Sequence, residues 1–318
     1  MVLEADGSQT QRGYVDLQCN GYAGIDFNRD PIDPSEIAHA EMTLRRDGNS
    51  TVLVTLITDD WQRLLGRVRW WARYFDQNDR TENCLSGLHV EGPFLNPAPG
   101  TAGAHPARHM VRPDRRRIDE LLEAGCGWIR LVTVAPEMDV ENGFASLRGL
   151  ADASVVVSAG HTAASLDELR GAIDSGLTMF THFGNGCSLR MDRHDNIIQR
   201  VMHLRKHLDI SLIADGQHIP PYVLRNYIDA VGTERGFVVT DAMAAAGQGP
   251  GRYALGPVDV EVTASGRAEL VGGDGRLAGS VATMPAMRDV LKSIGLDDSE
   301  CDRLMIENPR RVLEGKAP

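Results

Sequence analysis

The chain has 318 residues, 42% of them hydrophobic, enough to bury a large core in one big domain or two. Its formal net charge of −11 argues against a nucleic-acid or anionic-membrane binder, since both need basic surface. Five scattered cysteines without a C-x-x-C pair, no secretory leader and no apolar run of membrane-spanning length point to the cytoplasm. Apolar, β-prone runs then recur along the chain at 14–20, 50–56, 86–92, 127–134, 154–160, 177–182, 210–215 and 236–241. Helical patterns lie between them. One has Pro34 and Ser35 near its start and Gly48 just past its end; another starts at Ser165 and stops at Gly176. Eight strands alternating with helices predict an α/β fold, a (β/α)8 TIM-type barrel. The expected organisation is a single catalytic domain over 1–318, with a β-hairpin insertion after the eighth strand. A doubly wound sheet is the alternative, but no G-x-G-x-x-G follows the first strand.

Barrels of this kind carry their catalytic groups at the C-terminal ends of the strands. The first run ends with Gln18 and Asn20, which share a face because strand side chains alternate. The third ends at Glu91, the fifth at His161, the sixth at His182 and the eighth at Asp241, and His218 lies just past the seventh. Taken singly, each has an ordinary reading: a histidine satisfied by the fold, a solvated loop acid, an acid capping the next helix. His89, two residues before Glu91 and deeper in the barrel, reads as structural or as a support behind the site residues. Taken jointly, Glu91, His161 and His182 form a two-histidine, one-carboxylate set. That set suits a catalytic zinc first, with an open position for water, and also suits iron(II). No H-E-x-x-H occurs, which excludes a helix-borne zinc protease site.

From about residue 14 to 313, the segments "DLQCNGYAGIDFN", "GLHVEGPFLNPAPGTAGAHP", "SAGHT", "THFGN", "IADGQH", "VTDAM", "LAGS" and "NPRRVL" follow in order. This series resembles the N-acetylglucosamine-6-phosphate deacetylases of the amidohydrolase superfamily. The resemblance implies one divalent metal ion, zinc or else iron(II) or another, held by Glu91, His161 and His182. Many members of the superfamily carry His-x-His on the first strand and bind two metals. Here Gln18 and Asn20 stand at those positions, a vestigial second metal site. Asp241 matches the family's general base, which takes a proton from the attacking water and returns it to the leaving nitrogen. His105, in "AGAHP", matches a histidine that polarises the acetyl carbonyl. His218 matches one that contacts the sugar, and Asn185 with Gly186 matches a substrate-binding stretch.

Three departures accompany the resemblance. The flanking β-sandwich of the family is expected to be absent. "GNGCS" replaces Asn-Ala-Met after the sixth-strand histidine, and "LRMDRHDN" replaces Arg-Glu-Pro-Gly, whose arginine reaches a neighbouring subunit's phosphate. Arg190 and Arg193 are the candidates for its substitute, and solvated loop charges are their equally good ordinary reading. The expected function is therefore removal of an N-acetyl group from an amino sugar or amino sugar phosphate. The lean is away from N-acetylglucosamine 6-phosphate itself. The alternatives are an amidohydrolase acting on another N-acyl amine or a cyclic amide, and a decayed, non-catalytic binding protein. A small N-acylated molecule is the expected partner, with no nucleic acid or membrane, and a homodimer is left open.

Overall fold

In the computed structural model, which describes residues 13–78, 83–273 and 275–316, each apolar run forms a strand. They are β1 (Tyr14–Cys19), β2 (Asn49–Ile57), β3 (Leu85–Glu91) and β4 (Ile129–Val134), then β5 (Val156–Ala159), β6 (Leu177–Phe180), β7 (Asp209–Ile213) and β8 (Gly236–Val239). They pair in chain order, and each neighbouring pair is parallel. Burial is near complete along them because one face meets the barrel interior and the other meets helices.

The helices start and stop where local chemistry directs. Asp33 caps α1 (Pro34–Arg46) in a capping box with Glu36, Pro34 occupies the first turn, and Gly48, at φ +87°, ends the segment. Ser165 and Glu168 form the same box on a later helix, Leu166–Asp174. Both boundaries agree with the sequence pattern. Among the described residues no helix is long and apolar enough to cross a membrane.

Closure of the barrel between β8 and β1 uses side chains more than a ladder. A single parallel bridge joins Cys19 to Ala242, with the Asn20 N–H donating to the Ala242 carbonyl at 2.7 Å. Beneath it the Asp16 carboxylate accepts from the Thr240 N–H at 3.1 Å, from the Thr240 hydroxyl and from the Gln18 N–H at 3.2 Å.

A polar layer crosses the barrel interior at about the same depth. The Cys19 N–H donates to Thr55 Oγ1 at 2.9 Å, so that hydroxyl is free to face His89 Nδ1 at 3.4 Å. His89 Nε2 then meets Thr133 Oγ1 at 2.8 Å, and the chain continues through Thr181 to Ser158 at 2.8 and 2.6 Å. Burial pushes His89 down to about 4, so it is neutral and bridges two hydroxyls. It is structural, as its depth on the strand suggested.

The insertion after β8 is larger than the expected hairpin. It is a three-stranded antiparallel sheet of β9 (Gly251–Leu255), β10 (Val258–Val262) and β11 (Ala268–Leu270). Leu255, Val260, Val262 and Ala268 bury themselves against Ile57 and Met243, which docks the sheet on the barrel rim. The third strand is only three residues long, too short to register as an apolar run.

Asp16 gives this closure a pH signature. Complete burial, opposed by its Thr240 hydrogen bonds, raises its carboxyl to about 7. A raised acid binds its proton more tightly folded than unfolded. Its contribution is therefore full below the ordinary carboxylate range and is lost as pH rises through about 7. We expect thermal melts between pH 5 and pH 8 to show this loss, and Asp16→Asn, which keeps the shape without the charge, to flatten it. An Asp16→Asn variant with an unchanged pH dependence would contradict the assignment.

Candidate active site

Glu91 ends β3, while His161, His182 and Asp241 each lie two residues beyond the last residue of their strand. Those three have left-handed backbones, with φ of +51°, +32° and +48° respectively. Non-glycine residues take this conformation at a cost, and it tips each side chain back over the barrel mouth.

The three expected ligands converge. His182 Nε2 lies 2.9 Å from Glu91 Oε1 and 3.1 Å from His161 Nε2, and His161 Nε2 is 3.3 Å from Glu91 Oε1. His161 Nδ1 sits 2.7 Å from the Thr101 carbonyl, which can only accept. That nitrogen therefore carries the proton, and Nε2 presents a lone pair to the carboxylate. Two lone pairs do not attract; a cation between them would bind both. Ligands about 2.0–2.1 Å from a tetrahedral zinc stand roughly 3.3 Å apart, close to the spacing here. The trio fits a metal ion.

Electrostatics agree. Burial alone would raise Glu91, but the facing imidazoles, His105 first, hold its carboxyl well below the usual range. Burial, then the neighbouring His105, pushes His161 down to about 4, so its ring is neutral, as a ligand must be. Burial opposes protonation of His182 as well, yet Glu91 outweighs it and raises that ring.

Around this trio stand the other expected residues. Gln18 Nε2 and Asn20 Nδ2 both donate to Asp241 Oδ1, at 3.1 and 2.8 Å. The first-strand amides thus hold the carboxylate of the expected base. Burial, then the charge of Glu91, pushes Asp241 up to about 6. His105 Nδ1 accepts the Thr58 N–H at 3.4 Å, so its Nε2 carries the proton, 3.6 Å from Glu91 Oε2. His218 Nδ1 is 2.7 Å from Asp215 Oδ2, in a pair nearly excluded from solvent.

A cavity of about 810 Å³ opens above these groups. Glu91, His105, Asn185, Gly186, His218 and Asp241 line it. Gly186 is required: a Cβ there would lie 2.7 Å from His161 Nδ1. Arg190 and Arg193 are exposed and do not line the cavity, whereas their neighbours Leu189 and Met191 do. Thr101, Thr58, Asp215 and Arg276 belong to the site without having been singled out in the sequence. The first two act partly through backbone groups, which no residue pattern announces. Asp215 was legible: it lies three residues before His218 at the end of β7.

No family model matches the chain. A deacetylase of N-acetylglucosamine 6-phosphate from Lysinibacillus sphaericus is 31% identical over 288 residues, 89% of this chain and 70% of that one. A deacetylase of N-acetylgalactosamine 6-phosphate from Escherichia coli O157:H7 is 28% identical over 313 residues, covering 98% and 80%. Among solved structures, a Mycobacterium smegmatis N-acetyl-D-glucosamine-6-phosphate deacetylase mutant, in complex with N-acetyl-D-glucosamine-6-phosphate, superposes with a TM-score of 0.86. It is 34% identical, over 95% of this chain and 77% of that one. The chain belongs to the N-acetylglucosamine-6-phosphate deacetylase family. The barrel and the order of the groups at its strand ends agree with the resemblance of its motifs.

Metal content tests the site directly. Protein purified without chelator should carry about one equivalent of a divalent ion by elemental analysis, and His161→Ala or His182→Ala should empty it. Gln18→Ala and Asn20→Ala should leave the stoichiometry alone, because those amides bond Asp241. Two tightly held equivalents in the wild-type protein would refute the single site.

Proposed function

We propose that the chain hydrolyses the N-acetyl group of an amino sugar phosphate, with Glu91, His161 and His182 holding one divalent ion and Asp241 moving the proton. The observation that carries this is the placement of Asp241 beside that trio, at the floor of a cavity of about 810 Å³. The ligand set suits zinc, with iron(II) as the alternative. When bound, the ion would lower the pKa of a water toward about 7 and polarise the acyl oxygen.

The chain's own groups do the rest. Gln18 and Asn20 occupy Asp241 Oδ1, which leaves Oδ2 to take the proton of the attacking water and pass it to the amide nitrogen. The Nε2–H of His105 stands ready to donate to the acetyl oxygen as charge builds there. His218, fixed by Asp215, together with Asn185 and the Gly186 backbone, offers polar contacts for the sugar.

The relatives compared above are deacetylases of amino sugar 6-phosphates, which draws the reading to the phosphorylated class despite the divergent "LRMDRHDN" stretch. They differ in the hexosamine, so both N-acetylglucosamine and N-acetylgalactosamine 6-phosphates are the substrates to assay for acetate release.

Asp241→Asn separates proton transfer from binding. It should keep metal and substrate while kcat falls by about 10²–10⁴-fold, because the amide cannot accept the proton. In the wild type the acid limb of kcat/KM should lie at or below about 6, since burial and Glu91 raise Asp241 to that value and a bound cation lowers it. Near wild-type turnover in Asp241→Asn would remove Asp241 from the mechanism, and loss of the metal would recast it as a ligand. No acetate from either sugar phosphate would return the reading to another N-acyl amine or to a binding protein.

A further inference from the structure

We infer that Arg276, carried by the insertion after β8, is the arginine that reads the phosphate of the substrate. The inference rests on the sugar-phosphate reading above and assigns the recognition of its charge.

A dianion entering a chain of net charge −11 needs a cation already in place at the site. Arg276 lines the cavity, and Arg190 and Arg193 do not. Its position is built by the fold. The Arg276 backbone N–H and Nε both donate to the Gly273 carbonyl, at 3.1 Å each, which fixes the root of the side chain. Nη1 then reaches the Gly103 carbonyl at 3.4 Å.

Gly103 in turn presses on the metal trio: a Cβ there would come within 3.0 Å of His161 Cε1. The guanidinium therefore touches the loop that carries Gly103 and His105, and that loop packs against the proposed ligand His161. Among the described residues no carboxylate pairs with Arg276, and Nη2 has no partner. A cavity whose floor holds Glu91 and Asp241 repels an anion. A guanidinium on its wall offsets that repulsion where the substrate is charged and not where it reacts.

The test compares kcat/KM for N-acetylglucosamine and N-acetylgalactosamine with their 6-phosphates, using metal-loaded full-length protein. Arg276→Ala should lower the preference for the phosphorylated sugar by about 30-fold or more, chiefly through KM, the scale of a lost charge-assisted contact. Arg276→Lys should restore part of it. Arg190→Ala and Arg193→Ala should leave the ratio within about threefold. An unchanged ratio in Arg276→Ala, or its collapse in either of the other two, would overturn the assignment.

Calorimetric titration with glucosamine 6-phosphate, against glucosamine as control, gives a readout that needs no turnover. Wild-type protein should bind the phosphorylated sugar, and Arg276→Ala should weaken it at least tenfold. Equal binding by the two proteins, or none by the wild type, counts against Arg276. If no acetylated sugar is hydrolysed yet this titration shows the Arg276 dependence, the deacetylase reading falls and the phosphate anchor stands.

Discussion

The site is organised around a negative charge kept away from water. Glu91 is 2% exposed and ionised, and an unpaired carboxylate there would carry a desolvation penalty of several kcal/mol. Three imidazoles surround it, and at least one of them turns a lone pair toward it. Asp241 adds a second acid to the same cavity, close enough for each charge to raise the cost of the other. Imidazoles alone do not neutralise such a pair when burial and the neighbouring His105 keep His161 neutral and its Thr101 contact holds the one proton on Nδ1. One more positive charge at the point where the ligand atoms meet would balance the arrangement. Other features of the barrel mouth follow from that requirement, including the left-handed backbones at His161, His182 and Asp241, each costing about 1–3 kcal/mol.

The first-strand amides show how a change of residue type changes the task of a position. An imidazole at position 18 or 20 could ligate a second ion; an amide ligates poorly but donates well. The carboxylate decides the orientation of both: with their nitrogens on Asp241 Oδ1, flipping either amide would set oxygen against oxygen. Gln18 Oε1 and Asn20 Oδ1 are then buried carbonyls without a partner among the described residues. Two donors on one oxygen hold Asp241 in a single orientation, and its other oxygen is left for chemistry. A lone proton shuttle needs that asymmetry more than it needs a second metal.

Much of this was legible in the sequence, for identifiable reasons. Strands buried on both faces read as continuous apolar runs, so all eight stood out, with ends misplaced by a few residues. The overruns are informative: the runs at 177–182 and 236–241 take in the left-handed His182 and Asp241, and the run at 154–160 stops just short of the left-handed His161, so each extends past the point where the chain has left the sheet. A one-dimensional pattern reports which residue types follow a strand and not which way the backbone turns. Hence the ligand trio could be named, while the carbonyl of Thr101 and the N–H of Thr58, which set two histidine tautomers, could not. The third strand of the insertion escaped because three residues pairing at an exposed edge carry little hydrophobic signal.

Floor and walls of the cavity come from different parts of the chain and answer to different constraints. The floor sits on strand ends above the hydroxyl layer of Thr55, His89, Thr133, Ser158 and Thr181, whose members each satisfy a neighbour. Removing one hydroxyl orphans another in a place without water, at about 1–3 kcal/mol, so the floor resists change. The walls are loops: the stretch through Gly103 and His105, the stretch from Gly184 to Met191, and the insertion through Arg276. Here Leu189, Arg190 and Met191 are exposed, and a substitution costs the fold little. The two stretches in which the sequence departs from the motifs it resembles, "GNGCS" and "LRMDRHDN", accordingly lie in or beside these walls. In such a barrel the reaction is set by groups the fold cannot easily lose, and the substrate by groups it can exchange. A cation lost from one wall can be supplied by another, provided it faces the same cavity, and Arg276 meets that condition.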